Sequence, residues 1–131
     1  MKFFGISVLL FLSLSAFAQQ QPMSPEEEAK QMRTAIDASI EEYSKLLKLE
    51  DWQIFYLDSI MTHDYQAMKD ELDALSAAKV GNTDAYINVQ DKWNEKIYNS
   101  LHKVFNEAQW EKYLKSGARR DKKARDKRAG K

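Results

Sequence analysis

The chain has 131 residues, and its 20 Lys and Arg balance its 20 Asp and Glu, so that the formal net charge is zero. This length predicts a single domain. The absence of cysteine excludes a disulfide framework, a thiolate zinc site and a catalytic Cys. With four Gly and two Pro in the whole sequence, a glycine-rich phosphate loop and a turn-rich β-sandwich are both disfavoured.

The first 18 residues have the parts of a secretory signal peptide. Lys2 supplies the positive charge, and residues 3–17 are uncharged and mostly apolar. Ala16-Phe17-Ala18 has the small-x-small form of a cleavage site. The apolar run of about 15 residues is shorter than the roughly 20 that a membrane-spanning helix needs. We therefore expect export, with cleavage between Ala18 and Gln19.

Charge is distributed unevenly along the mature chain. Residues 19–114 carry 10 Lys and Arg against 18 Asp and Glu, whereas residues 115–131 carry nine against two, a net charge of +7. A basic segment of this kind is typical of a solvated tail and sometimes contacts anionic partners. We expect residues 117–131 to be disordered or a solvated helix, with weak contact to anionic membrane as one role and no nucleic-acid partner in an exported protein.

The first predicted helix follows a flexible leader at residues 19–23. Ser24 can cap it, Pro25 suits its first position, and Glu27 can complete a capping box. An apolar stripe at helical spacing then extends the helix to about residue 48. The stripe consists of Met32, Ile36, Ile40, Tyr43 and Leu47.

The second predicted helix covers residues 51–79, and we expect Gly81 to end it in the left-handed conformation. The third covers residues 84–104. Both have long apolar stripes and a short connection, which predicts an antiparallel helical hairpin. The second stripe consists of Ile54, Leu57, Met61, Tyr65, Met68, Leu72 and Leu75, and the third of Tyr86, Val89, Trp93, Ile97, Leu101 and Val104.

The fourth predicted helix begins at Asn106, which can cap it. Gln109 can bond back to the cap, and Phe105 can pack on Trp110 as a hydrophobic staple. No window alternates with a period of two residues, so no strand is predicted. We therefore predict an all-α fold in which four amphipathic helices at residues 24–116 include a long antiparallel hairpin and precede a basic tail.

Catalytic motifs such as G-x-S-x-G, H-E-x-x-H and G-x-G-x-x-G do not occur in this sequence. His63 and His102 lie on different predicted helices, and with carboxylates they could ligate a metal ion. Surface histidines and a solvated acidic face explain the same residues. We expect no enzymatic activity, no cofactor and no metal site.

The predicted helices carry more aromatic side chains than one hairpin needs for its core. These side chains are core covered by the other helices, core covered by a second subunit, or an apolar surface that binds other proteins. The candidates for such a surface are Trp52, Phe55, Tyr56, Tyr65, Tyr86 and Trp93.

Two segments share one pattern at the start of a predicted helix, Leu49-Glu50-Asp51-Trp52-Gln53 and Phe105-Asn106-Glu107-Ala108-Gln109. The pattern resembles the paired LTxxQ motif of the Spy/CpxP-type periplasmic proteins, and its surroundings resemble secreted Bacteroidetes-type members. Physically it is a capping box preceded by an apolar residue. Glu50 and Asn106 stand where the motif has Thr, and Glu is the poorer cap, so the first two helices could run together or kink at Leu49.

The resemblance implies a helical hairpin that often dimerises into a curved cradle, a periplasmic location and an ATP-independent chaperone or envelope-stress role. We therefore expect a holdase-like protein that binds exposed apolar segments, as a monomer or a homodimer. The alternatives are a structural or regulatory envelope protein with one specific partner and a metal-sensing relative. The cradle of the best-known chaperone members is basic, whereas the body of this chain is acidic.

Overall fold

The computed structural model describes residues 23–131. The predicted signal peptide, its cleavage site and residues 19–22 of the predicted leader lie outside the described residues. The described chain forms helices without strands, which confirms the predicted all-α fold. None of its helices is long and apolar enough to cross a membrane. The elements are α1 (Pro25–Leu47), α2 (Asp51–Ala77), α3 (Thr83–Val104), α4 (Glu107–Tyr113), a π-helical turn (Leu114–Ala118) and α5 (Arg119–Arg128).

Helix α1 begins and ends on backbone features that the sequence encodes locally. The backbone N–H of Glu27 donates to Ser24 Oγ at 3.2 Å, as the predicted cap requires. At the other end, Lys48 adopts the left-handed conformation with φ 52°, and the N–H of Leu49 donates to the carbonyl of Ser44 at 3.1 Å. The chain therefore turns at Lys48, and α1 and α2 are separate helices that do not run together.

Helix α2 ends earlier than predicted, and the expected left-handed Gly81 is wrong. Lys79 takes the left-handed conformation instead, with φ 55°, and Gly81 has no positive φ. The turn is then closed by polar contacts, since Asn82 Oδ1 accepts from the N–H of Asp84 at 3.0 Å. The hydroxyl of Tyr86 donates to the carbonyl of Val80 at 2.7 Å, which ties the start of α3 to this turn.

Helices α2 and α3 pack against each other as an antiparallel hairpin. Gln53 near the start of α2 bonds the carbonyl of Val104 at the end of α3, and Glu71 further along α2 pairs with Lys92 nearer the start of α3. Helix α1 packs on α2, and α4 packs on α1. The buried apolar side chains belong to α1, α2, α3, α4, the residue between α3 and α4, and the π-helical turn: Ile36, Leu47, Leu57, Met61, Met68, Ile97, Leu101, Val104, Phe105, Trp110, Tyr113 and Leu114.

The basic tail is helical in the structure and folds back onto α3. The π-helical turn before it contains Gly117 at φ 123°, a backbone conformation that residues with a side chain rarely adopt. The sequence left disorder and a solvated helix open. The tail is a helix that is solvated only in part, because Arg125 of α5 is only 9% exposed.

Candidate functional site

The two motif glutamines meet in the interior of the protein. Gln53 Nε2 donates to Gln109 Oε1 at 2.7 Å, and Gln109 Nε2 donates to Gln53 Oε1 at 3.1 Å. Both side chains are buried, with exposed fractions of 3% and 8%. The two capping-box motifs are therefore joined by a reciprocal amide pair, here called the amide clamp. Sequence reasoning predicted that each Gln bonds within its own box, and it did not predict that the two side chains meet.

The amide clamp also bonds the backbone at both helix junctions. Gln53 Oε1 accepts from the N–H of Glu50 at 2.9 Å, and Gln109 Oε1 accepts from the N–H of Asn106 at 3.0 Å. Each amide nitrogen donates across to the other junction. Gln53 Nε2 donates to the carbonyl of Val104 at the end of α3 at 3.0 Å, and Gln109 Nε2 donates to the carbonyl of Leu47 at the end of α1 at 3.3 Å. Two helix starts and two helix ends are thus held by one pair of side chains, which is a structural role.

The two caps differ in quality. Asn106 Oδ1 accepts from the N–H of Gln109 at 2.8 Å, which completes the second capping box. In the first box the carboxylate of Glu50 accepts from the indole Nε1 of Trp52 at 2.5 Å. Both motifs have capping-box geometry, but Glu50 makes no direct cap hydrogen bond and also holds the indole, whereas Asn106 makes a direct bond to its helix.

We expect Asn106→Ala to lower the free energy of unfolding by about 1 kcal/mol, because a helix-start N–H loses its acceptor. Glu50→Thr should raise it by a few tenths of a kcal/mol, since Thr is the better cap. Urea denaturation of the two variants measures both effects. If neither midpoint moves, the interpretation of these motifs as caps is wrong.

Three large aromatic side chains are exposed at the start of α2 and form one cluster, here called the aromatic patch. Trp52, Phe55 and Tyr56 are 51%, 67% and 52% exposed. The ring of Tyr56 makes edge contacts with both neighbours, at centroid distances of 6.2 Å from Trp52 and 5.7 Å from Phe55. The three rings therefore form one contiguous apolar surface at the start of α2.

The second motif provides an internal comparison for this patch. When positions are counted from the motif glutamine, the patch residues of the first motif have equivalents in the second motif. These equivalents are exposed too, but they carry small or charged side chains. The buried positions of the two helix starts also correspond, Leu57 with Tyr113 as well as Gln53 with Gln109. The same local fold thus forms without exposed aromatic residues, so the patch is not required for packing. The equivalent pairs are Trp52 and Ala108, Phe55 and Glu111, and Tyr56 and Lys112.

The other three aromatic candidates lie away from the patch. Tyr65 is half-buried and lines a cavity, and burial raises its pKa to about 12. Tyr86 bonds the turn before α3. Trp93 donates from Nε1 to Glu71 at 3.0 Å, and the ammonium of Lys96 lies 4.8 Å from its ring. The structure therefore brings together three of the six predicted surface residues.

Phe105 and Trp110, the two residues of the predicted staple, both lie in the buried core at the start of α4. The ring of Phe105 contacts Tyr113, at 5.6 Å between centroids. Trp110 stacks on His102, at 4.0 Å between centroids and 11° between planes, and contacts Tyr98 at 4.9 Å. His102 is therefore engaged by a core indole.

The other histidine, His63, lies on α2, where its Nδ1 is 2.7 Å from Oδ1 of the neighbouring Asp64. Within residues 23–131, no group of three or more His, Asp or Glu side chains is placed to hold a metal ion. His63 thus contacts a carboxylate on its own helix, whereas His102 on α3 packs against Trp110 of α4.

A cavity of about 400 Å³ lies among α1, α2, α3 and α5. Burial raises the pKa of Tyr43 and of Tyr113 well above the ordinary value, so that both hydroxyls stay neutral. The walls also include Met61, Ile97, Leu101 and, from α5, Asp121 and Arg125. Gln90, Asp91 and Asn94 of α3 also line the cavity, so its walls are both polar and apolar, and the basic tail forms one of them.

Helix α5 is held on α3 mainly through Glu95. The ammonium of Lys122 and the Nε of Arg125 both donate to its carboxylate, the latter at 3.0 Å. Burial opposes ionisation of Glu95, but these two bonds outweigh it and hold the pKa of Glu95 below its ordinary value of 4.5. Asp91 on α3 pairs with Arg128, and Glu111, Asp121 and Asp126 also pair with basic residues of α5.

We expect α5 to detach as the pH falls below about 4.5. A carboxylate whose pKa is lower in the folded chain contributes stability above its unfolded pKa, and this contribution is lost as the pH falls through the folded value. Spin labels on Asn88→Cys and Ala129→Cys, two exposed positions on the rim of one small cavity, report the separation. Glu95→Gln should remove most of the pH dependence; a distance that stays short in wild type at pH 3 would contradict the prediction.

The chain matches no protein-family model, no curated protein and no solved structure. Its functional residues must therefore be identified from their own geometry. The features that the fold itself does not require are the aromatic patch on α2 and the docked basic helix α5.

Proposed function

We propose that this protein is a non-enzymatic periplasmic protein, similar to the Spy/CpxP type, that binds exposed apolar segments of other proteins in a holdase-like manner. The observation that carries the proposal is the aromatic patch of Trp52, Phe55 and Tyr56, each more than half exposed. Contiguous apolar surface of this kind usually marks an interaction site. The signal-like sequence at residues 1–18 supports the location.

The patch is built for contact with apolar chains at little entropic cost. Aromatic side chains have two rotatable bonds and lose little freedom when a partner covers them. The hydrogen bond from Trp52 to Glu50 and the edge contacts of Tyr56 already restrict the rings. Covering apolar surface contributes about 25 cal/mol per Å². Such binding requires neither ATP nor a cofactor.

The test exchanges the patch for the residues that the second motif has at the same positions. The mature chain should suppress aggregation of a chemically denatured model enzyme at near-stoichiometric ratio without ATP. The variant Trp52→Ala/Phe55→Glu/Tyr56→Lys should lose most of this suppression and keep its helicity and melting temperature. The matched control is Glu111→Gln/Lys112→Gln, at equivalent exposed positions on α4, which should suppress aggregation like wild type.

Each other outcome decides between functions. If wild type does not suppress aggregation, the holdase proposal is wrong. If the patch variant suppresses fully, another surface binds the client. A single partner captured by wild type and lost by the patch variant would instead support an envelope protein with one specific partner. A dimer in sedimentation that dissociates in the patch variant would assign the patch to self-association.

A further inference from the structure

Basic side chains at regular spacing on α5 contact a short stretch of α3. Lys122 and Arg125 share the carboxylate of Glu95. Arg128 forms a two-point contact with Asp91, with its Nε 2.7 Å and its Nη2 2.8 Å from the two carboxylate oxygens. The cations are three residues apart and the carboxylates four apart, so each row lies along one face of its helix.

An aromatic ring completes the arrangement. The ammonium of Lys122 and the guanidinium of Arg125 each lie 5.5 Å from the centre of the Tyr98 ring, within the range of cation–π attraction. Asp91, Glu95 and Tyr98 are here called the cation site. The site combines two carboxylates and an aromatic face along two turns of α3, and its chemistry fits Lys and Arg side chains on a helix.

Helix α5 is held by charge and not by apolar packing. Residues 119–128 read RRDKKARDKR, in which the single apolar side chain is Ala124. Partly exposed ion pairs contribute only about 0–1 kcal/mol each. Within the described residues, Arg125 Nη2 is buried without a hydrogen-bond partner, which opposes docking. What favours docking is the short tether through Gly117, because such a tether gives an effective concentration in the millimolar range.

We propose that the cation site is a receptor for basic helical segments of partner proteins and that α5 occupies it in cis. A partner segment with Lys or Arg on one helical face displaces α5 or binds once α5 is released. The seated α5 shows the geometry that the site accepts, and the acidic charge of residues 19–114 favours a basic partner. This proposal uses α3 and is independent of the aromatic patch on α2.

The first experiment releases α5 in the full chain. The variant Lys122→Gln/Arg125→Gln/Arg128→Gln removes the three contacts with the cation site, and spin labels at residues 88 and 129 report docking. We expect one short distance in wild type and a broad, longer distribution in the variant. The matched control, Arg120→Gln/Lys123→Gln/Lys127→Gln, removes the same charge from exposed positions and should keep the short distance. A variant that stays docked would overturn the proposal.

The second experiment measures binding in trans. A fluorescent peptide of residues 114–131 is titrated into each chain, and its anisotropy is recorded. Because the tethered α5 competes in wild type, we expect the released variant to bind the peptide about tenfold tighter than wild type or the control. Adding Asp91→Asn/Glu95→Gln to the released variant should abolish the gain. Binding should also weaken as salt rises.

The peptide experiment separates recognition from general attraction of a basic peptide to an acidic protein. A scrambled peptide of the same composition should bind the released variant at least about tenfold more weakly, since its cations no longer share one helical face. Equal binding of the two peptides overturns the proposal. So does equal binding of the native peptide to wild type and released chain, or binding that Asp91→Asn/Glu95→Gln leaves unchanged.

Discussion

Replacing Gln53 with Ala should lower the free energy of unfolding by about 3 kcal/mol, because its removal leaves several buried polar groups without partners. The N–H of Glu50, the carbonyl of Val104 and the amide of Gln109 each lose a hydrogen bond to Gln53. In a domain of this size the loss corresponds to a fall in melting temperature of about 10–20 °C. Calorimetry or urea denaturation of the purified variant measures it.

Two comparisons isolate the amide clamp. Gln66→Ala on the same helix removes an exposed Gln that bonds the exposed Asp70 at i+4, and it should change stability by less than about 0.5 kcal/mol. The losses in unfolding free energy caused by Gln53→Ala and Gln109→Ala should be less than additive in the double variant, because each single change already breaks the shared pair. If Gln53→Ala were no more destabilising than Gln66→Ala, the clamp would contribute nothing to the joining of the two junctions.

Helix positions were predictable because periodic burial and local caps determine them. Pro25 and Asn106 mark helix starts through the chemistry of the neighbouring residues, and the structure has both where expected. The end of α2 was not predictable in this way, because the position of the left-handed residue depends on where the last helical hydrogen bonds stop. The preference of Gly over Lys at such a position, about 1 kcal/mol, is small enough for tertiary contacts to override.

The amide clamp and the aromatic patch show what a single sequence lacks. Each motif predicts its own capping box, but the meeting of Gln53 and Gln109 depends on the relative placement of two helix junctions. Likewise, the aromatic side chains of α2 were all candidates for an exposed apolar surface, and only the packing of α1 and α3 decides which of them are covered. Tyr65 is partly covered, whereas Phe55 remains exposed.

The basic tail was ambiguous for a related reason. The composition predicts that α5 has few apolar side chains to bury, and the structure agrees on this point. Ion pairing with Asp91 and Glu95 requires that α3 present both carboxylates to the returning chain, and the turn at Gly117 determines that return. The net charges alone predict that the basic tail is attracted to the acidic body, but they do not predict which residues of the body it contacts.

The two tryptophans near the motifs should respond to truncation in opposite ways. Trp110 is 8% exposed, stacks on His102 and contacts Tyr98 and Tyr113. Trp110→Ala should therefore lower the free energy of unfolding by about 3–5 kcal/mol, through lost burial and the cavity left behind. Since total stability of such domains is about 5–15 kcal/mol, this variant should be close to unfolding at physiological temperature.

Trp52→Ala should have the opposite profile. Its indole is half exposed and bonds the surface carboxylate of Glu50, so we expect a stability change below about 1 kcal/mol. The aromatic patch loses its largest ring, however, and suppression of client aggregation should fall severalfold. Urea denaturation and the aggregation assay on the same preparations separate the two effects. A Trp52→Ala protein that is strongly destabilised would make the patch part of the core; one that is stable and fully active would leave the exposed rings without a role in binding.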